Sequence, residues 1–391
     1  MSHQPYCHKS SLVKTAIRVA IIITFSYSTL VKAVEFDLFG DVSFYTSSDE
    51  KEKNSFRLGQ VDLIANQEID PDTKVVVELV FEDAGYHDGP QIDIERLAIQ
   101  RNISDNMQFG FGRYHTPLGF WNTTYHHGSL IQNTVARPFF LEFEDAASGI
   151  MPVHLVGFQL SGAASIIDYQ IILGNNNGLN TQIDSEQSHE NRLEVFNSVD
   201  FNNDKSYVIR VGFNLFDSGL DLGFNYMRNN VIEVGAATGD PNITPSLLDH
   251  GEILFEQEIT GVSLRGKWGG FQLLSEAYQI QIADNEALKR DGVLIANDNP
   301  YTSDAIYTQI SYNFSKRLSL ALRYETLDFE DNNTYLNVLG LTNSEQRNIL
   351  SLNYIIGKSN ALRFEFNQRN LDDPTIDSVY GYTFQWFFVL L

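Results

Sequence analysis

Hydrophobic and polar positions alternate with a period of two along most of the chain. Phe36, Leu38, Gly40, Val42 and Phe44 alternate with Asp37, Asp41 and Ser43. Tyr207, Ile209, Val211, Phe213 and Leu215 alternate with Val208, Arg210, Gly212 and Asn214. Later, Leu318, Leu320, Leu322 and Tyr324 alternate with Ser319, Ala321, Arg323 and Glu325, and the chain closes on Tyr380, Tyr382, Phe384, Trp386 and Phe388. A two-residue period marks a strand with one apolar face, and segments of about ten residues suit tilted strands that cross a bilayer.

Continuing the count predicts strands near 36–45, 56–66, 74–82, 92–102, 107–115, 153–163, 167–174, 206–215, 219–228, 258–268, 271–281, 305–314, 317–326, 347–357, 360–368 and 379–389, sixteen in all. The phase slips at Gly59 and at Arg96, where a bulge is needed. On these boundaries every odd-numbered connection is longer than every even-numbered one. The short ones hold turn formers such as Asp70-Pro71-Asp72, Ser104-Asp105-Asn106, Asp217-Ser218-Gly219 and Gly269-Gly270, so neighbouring strands are antiparallel hairpins.

Tight turns at one end and long loops at the other describe an outer-membrane barrel. A soluble sandwich also alternates, but its connections need not segregate by parity. The expected fold is therefore all-β: a closed transmembrane antiparallel β-barrel of about 16 strands, with both termini on the short-turn side. Closure is required because unpaired backbone groups in hydrocarbon cost several kcal/mol. The apolar set then meets lipid and the intervening residues line the interior. Arg210, Arg265, Arg323 and Arg363 fall in that inward phase beside Glu325, Glu365, Asn214 and Asn367. An arginine facing lipid at mid-depth would cost about 2–4 kcal/mol, and side chains cannot fill a barrel of this size, so an aqueous lumen is expected.

Residues 1–33 read as a removable export signal preceding a barrel over 34–391. Lys9, Lys14 and Arg18 precede an apolar stretch through Ile21, Ile22, Ile23 and Phe25, and Val31-Lys32-Ala33 suits cleavage. The alternative, a membrane anchor, fits less well, because Arg18 and Ser26-Tyr27-Ser28-Thr29 interrupt the roughly 20 apolar residues a spanning helix needs. The only cysteine, Cys7, lies in this segment. The full chain carries a net charge of −23, which argues against nucleic acid as a partner, since a binder must neutralise phosphates with Lys and Arg. Many acids, among them Asp49, Glu50, Glu52, Asp184, Glu186 and Glu190, fall in the first and fourth long loops. They are either a solvated outer surface or carboxylates that divalent cations bridge to anionic outer-membrane lipid.

The longest connection, 116–152, is the third external loop and is rich in rings. It holds Phe120, Trp121, Tyr125, His126 and His127, then Arg137-Pro138-Phe139-Phe140-Leu141-Glu142-Phe143-Glu144-Asp145. So many rings in water would be unfavourable, so the loop is expected to fold inward onto the barrel wall.

With the signal, the even-stranded pattern and this loop, the whole mature chain resembles the general and substrate-selective porins. The strings Gly112-Arg113-Tyr114-His115-Thr116-Pro117, Tyr125-His126-His127-Gly128 and Pro152-Val153-His154 are similar to segments of a group of porin-like outer-membrane proteins distantly akin to phosphate-selective porins. The resemblance implies a third loop that folds into the channel and narrows it, and association as a homotrimer. Two features depart from it. Porins usually end on an aromatic residue, whereas this sequence ends Phe388-Val389-Leu390-Leu391. A basic ladder expected of phosphate-selective porins is replaced by scattered arginines, so phosphate specificity does not carry over.

On the pore reading, Arg113, His115, His126, Glu142, Glu144 and Asp145 supply charge near a constriction, Trp121 and Tyr125 add a stacking surface, and Arg210, Arg265, Arg323 and Arg363 contribute from the wall. The alternative is that these residues only hold the loop to the wall. His115, His126, His127 and His154 with nearby carboxylates suit zinc, but their spacing is that of no closed site, so no metal and no cofactor is expected. A Ser129/His126/Glu144 set could be assembled, yet no Gly-x-Ser-x-Gly elbow or His-Glu-x-x-His helix supports an enzyme. The expectation is a passive channel for small hydrophilic solutes. A surface receptor or adhesin, with loops 175–205, 229–257 and 282–304 contacting a partner, stands second.

Overall fold

The computed structural model describes residues 34–390 apart from 51, 53, 84–89, 127–131, 145, 147, 180–182, 185–192, 194–199, 216–218, 235–242, 245–250 and 286–299. The expected signal at 1–33 lies outside the described residues, as do His127, Ser129 and Asp145. Among the described residues no helix is long and apolar enough to cross a membrane, which says nothing of strands.

Sixteen long strands form one ring. They are β1 (Glu35–Ser47), β2 (Ser55–Asp70), β3 (Thr73–Asp83), β4 (Pro90–Ser104), β5 (Met107–His115), β6 (His154–Ala164), β7 (Ile167–Gly174) and β8 (Ser206–Leu215), followed by β9 (Leu220–Glu233), β10 (Ile253–Trp268), β11 (Phe271–Asp284), β12 (Tyr301–Asn313), β13 (Leu318–Phe329), β14 (Glu345–Ile355), β15 (Asn360–Leu371) and β16 (Val379–Leu390). Each pairs antiparallel with the next, and β16 returns to β1 in register from Leu38↔Leu390 to Ser47↔Gly381. The sheet therefore has no free edge, as a hydrocarbon setting demands.

The two predicted phase slips are bulges. Register shifts between Gly40 and Val42 opposite β2, and again between Glu78 and Leu79, where Arg96 and Ile94 are the partners and Glu95 is the extra residue. The extra residue lets Glu95 and Arg96 both leave the outer face, since a bulge re-aims side chains that strict alternation would send outward.

Alternation sorts the faces as expected. Leu322, Phe364 and Trp386 stand on the outer surface, 53%, 48% and 47% exposed, while their neighbours Arg323, Arg363 and Gln385 are buried inside. On the long-loop side, β9, β10, β12 and β13 run several residues further than the periodicity predicts. Hairpin hydrogen bonding continues there beyond the apolar band, so outward positions turn polar and the signal fades. Arg228 and Glu256, paired across β9 and β10 at 3.4 Å, are an example. In the fourth loop, Asn177–Leu179 adds a short parallel pairing to the end of β9.

The interior is occupied in its middle by the third loop. Leu118, Trp121, Phe139, Phe140, Leu141, Ile150 and Met151 pack against wall residues Ile259, Tyr278, Tyr307 and Leu327, and against Tyr335 of a short helix, α2 (Thr334–Val338). Asn333 caps α2 by accepting a hydrogen bond from the Leu336 amide.

Candidate functional site

The third loop leaves β5 after His115 and turns at Gly119, whose φ is +67°. A Cβ there would also press on the Glu276 carboxylate and the Tyr278 hydroxyl, so glycine is required on both counts. The turn delivers a one-turn helix, α1 (Trp121–Thr124), across the lumen to the β11 wall. There the Phe120 and Trp121 amides both donate to Glu276 Oε1, at 2.5 and 2.8 Å. Trp121 is fully buried, its ring edge-on to Tyr125 and Tyr307 and 5.1 Å from the Arg323 guanidinium carbon.

Further along, the loop is tied to the far wall by charged side chains that bond its backbone. Glu365 of β15 accepts from the amides of Val135 (2.5 Å) and Ala136 (3.1 Å). Glu325 of β13 accepts from Phe139 at 2.8 Å. Arg323 donates to the carbonyls of Ala136 and Arg137, both at 2.9 Å, and to Thr134 Oγ1 at 2.8 Å. Arg363 donates to the carbonyls of Gln132 (2.7 Å) and Thr134 (3.0 Å). A loop without regular structure has many orphan amides and carbonyls. The wall's alternating acids and arginines satisfy them, each charge-assisted bond contributing about 1.5–3 kcal/mol.

The returning limb is held as firmly. Arg137 donates to the carbonyls of Leu141 (2.9 Å) and His126 (2.5 Å) and lies 4.0 Å over the Phe143 ring. Burial lowers its affinity for a proton, a tendency that Glu142, Glu95 and Glu144 oppose. Burial likewise pushes the Glu142 carboxyl up, against the pull of Arg137. The Ile150 carbonyl accepts from Gln257 Nε2 and from the Tyr335 hydroxyl.

Ten of the residues expected from sequence fall into three groups. Trp121, Glu142, Arg323 and Arg363 belong to the packed loop and its anchors. Arg113, His115, His126 and Glu144 gather on the opposite side, where β4, β5 and β6 meet the loop, with Arg113 buried in the field of Glu144, Glu95 and Asp93. Arg210 and Arg265 form the third group, on the wall from β7 to β10. Arg210 pairs with Asp168, and Arg265 with Asp221 through Nε at 2.6 Å. Arg265 also lies 4.1 Å over the Phe120 ring. These pairs keep solvent contact, with Arg265 32% exposed.

Sequence reasoning missed Glu276 and Glu95. Glu276 lies on a strand whose Leu273, Leu274, Ala277 and Tyr278 put apolar residues in both phases. Glu95 depends on the bulge. A lone acid inside an apolar strand was the available signal for the first.

No protein-family model and no curated protein matches the sequence. Solved structures do match over nearly the whole chain. An anion-selective porin from Comamonas acidovorans has a TM-score of 0.60 at 11% identity, covering 92% of this chain and 100% of that one. The outer-membrane channel DcaP of Acinetobacter baumannii has a TM-score of 0.58 at 11% identity, covering 91% and 97%. A trimer form of OmpT, an outer membrane protein of Vibrio cholerae, has a TM-score of 0.57 at 12% identity, covering 92% and 99%. With its closed ring of sixteen strands and its inward third loop, the chain has the porin-like fold of outer-membrane β-barrels.

Proposed function

We propose that this protein is an outer-membrane channel through which small hydrophilic solutes diffuse passively, with the loop between β5 and β6 narrowing the passage. The carrying observation is the seat of that loop. It crosses the lumen and is bonded to β11, β13 and β15 through Glu276, Glu325 and Glu365, leaving the partly exposed pairs Asp168–Arg210 and Asp221–Arg265 on the neighbouring wall. A polar, solvent-touching wall beside a rigid obstruction is what a size-selective passage needs.

In this reading Arg323 and Arg363 act as anchors, and Arg210 and Arg265 set the field that solutes meet. The same reading includes export by the segment 1–33, residence among outer-membrane lipids, a homotrimer as in the Vibrio structure, and no enzymatic activity. The test is swelling of liposomes reconstituted with the purified protein, in uncharged sugars of increasing size. Small sugars should enter rapidly, with a sharp fall above a cut-off. Liposomes that stay as tight as protein-free ones would instead identify a barrel sealed by its loop, as a surface receptor would be.

A further inference from the structure

Three histidines and one glutamate from four separate segments converge where the loop meets the near wall. They are Glu95 on the β4 bulge, His115 at the end of β5, His126 just after α1, and His154 at the start of β6. Their donor atoms all lie within 4.8 Å of one another, and Glu95, His126 and His154 are buried.

For two of the three histidines, hydrogen bonds fix which ring nitrogen faces the cluster, while the third, His115, has its Nε2 3.6 Å from Glu78 Oε2. The Asn122 amide nitrogen donates to the carbonyls of Thr116 (2.8 Å) and Val153 (2.9 Å), so its oxygen is the acceptor that meets His126 Nδ1 at 2.7 Å. His126 Nδ1 therefore carries a proton and Nε2 presents a lone pair in the neutral ring. Glu144 does the same for His154, accepting from its backbone amide at 2.8 Å and from Nδ1 at 3.0 Å. The two Nε2 atoms then point at one oxygen of Glu95, at 3.5 and 2.5 Å. Electron pairs gathered this closely in a dry site need positive charge among them, supplied by a proton or by a metal ion. An outer carboxylate or amide that fixes each imidazole is the usual support of a metal-binding histidine.

We infer that Glu95, His115, His126 and His154 bind a divalent transition-metal ion of the zinc type. Imidazole and carboxylate suit such an ion, with metal–nitrogen distances of about 2.0–2.1 Å and hence ligand separations of about 3.3 Å in a tetrahedron. The four donors lie within 4.8 Å of one another, and binding draws them in to that separation by side-chain rotation, with the His115 and His126 rings, stacked at 3.8 Å, turning apart to aim their nitrogens at the ion. Four protein ligands close the shell, so the ion is structural. Because His126 belongs to the loop and the other three to the wall, the ion ties the narrowing loop to β4, β5 and β6.

The test is cobalt(II) titration of the folded full-length barrel after chelator treatment, followed by optical absorption and then zinc competition. The expected result is one cobalt per chain with the intense visible bands of tetrahedral coordination, displaced by zinc, and a metal-dependent rise in unfolding temperature. His126→Ala should abolish the stoichiometric bands. Glu95→Gln, which keeps the shape of the site, should weaken binding at least tenfold while strand content is unchanged. Absence of stoichiometric uptake by the unaltered protein, as for a cluster held by protons alone, would overturn the assignment. Weak bands of octahedral cobalt, or uptake undiminished in a folded Glu95→Gln barrel, would do the same. Sugar permeation is measured separately, so failure here leaves the channel reading intact.

Discussion

Charged side chains inside this barrel differ in burial, and the proposed anchors and the proposed selectivity residues fall on either side of that difference. Arg323 is fully enclosed, shares Glu325 at 2.5 Å, and bonds two loop carbonyls. Replacing it with alanine would take from the buried Glu325 carboxylate its cationic partner and from the two carbonyls their Arg323 donor, a loss of about 3–5 kcal/mol. Arg210 is part-exposed, and its pair with Asp168 contributes at most about 1 kcal/mol. Arg323→Ala is therefore expected to lower the unfolding temperature and loosen the loop, seen as easier proteolysis within 116–153. Arg210→Ala should leave stability nearly unchanged and shift the reversal potential under a salt gradient towards cations. A destabilised Arg210→Ala barrel with unaltered selectivity would contradict this division. The inward phase of both arginines was legible from their neighbours Leu322 and Ile209. The difference between them was not, because it depends on where the loop backbone passes.

At the scale of elements, the third loop is the part whose conformation is set by the rest. Its inward fold was legible in its density of rings, with Trp121, Phe139, Phe140 and Leu141 all buried. Its path was not, because the residues that direct it are far away in sequence: Glu276 waits at the far wall for amides 155 and 156 positions earlier. The same holds for the histidine cluster. Its members were visible as residue types, but the spacing carried no signature, since Glu95 reaches the site through a bulge and the histidines through three different segments. Gly119→Ala tests the path directly. The substitution forces a Cβ against Glu276 and Tyr278 at a positive φ, so it should displace α1 and raise solute permeation while strand content stays constant. Unchanged permeation and proteolysis in Gly119→Ala would show that the turn does not set the constriction.

For the whole molecule, strand number and parity were the most legible features, because closing an antiparallel sheet on itself leaves so little freedom. All sixteen predicted strands appear, with the two slips in phase resolved as bulges. What alternation leaves undetermined is the content of the lumen, since an inward polar residue reads the same whether it meets water or a loop. The molecule is thus a ring with an apolar outer face around a partition, tied on one side by acids and arginines and meeting the histidine cluster on the other, with partly exposed ion pairs on the wall from β7 to β10. Recording current across a planar lipid bilayer containing the purified folded protein tests that picture most directly. Stable, repeated steps whose size rises with salt concentration are the predicted result, and a membrane that incorporates the folded barrel yet remains electrically silent would contradict it.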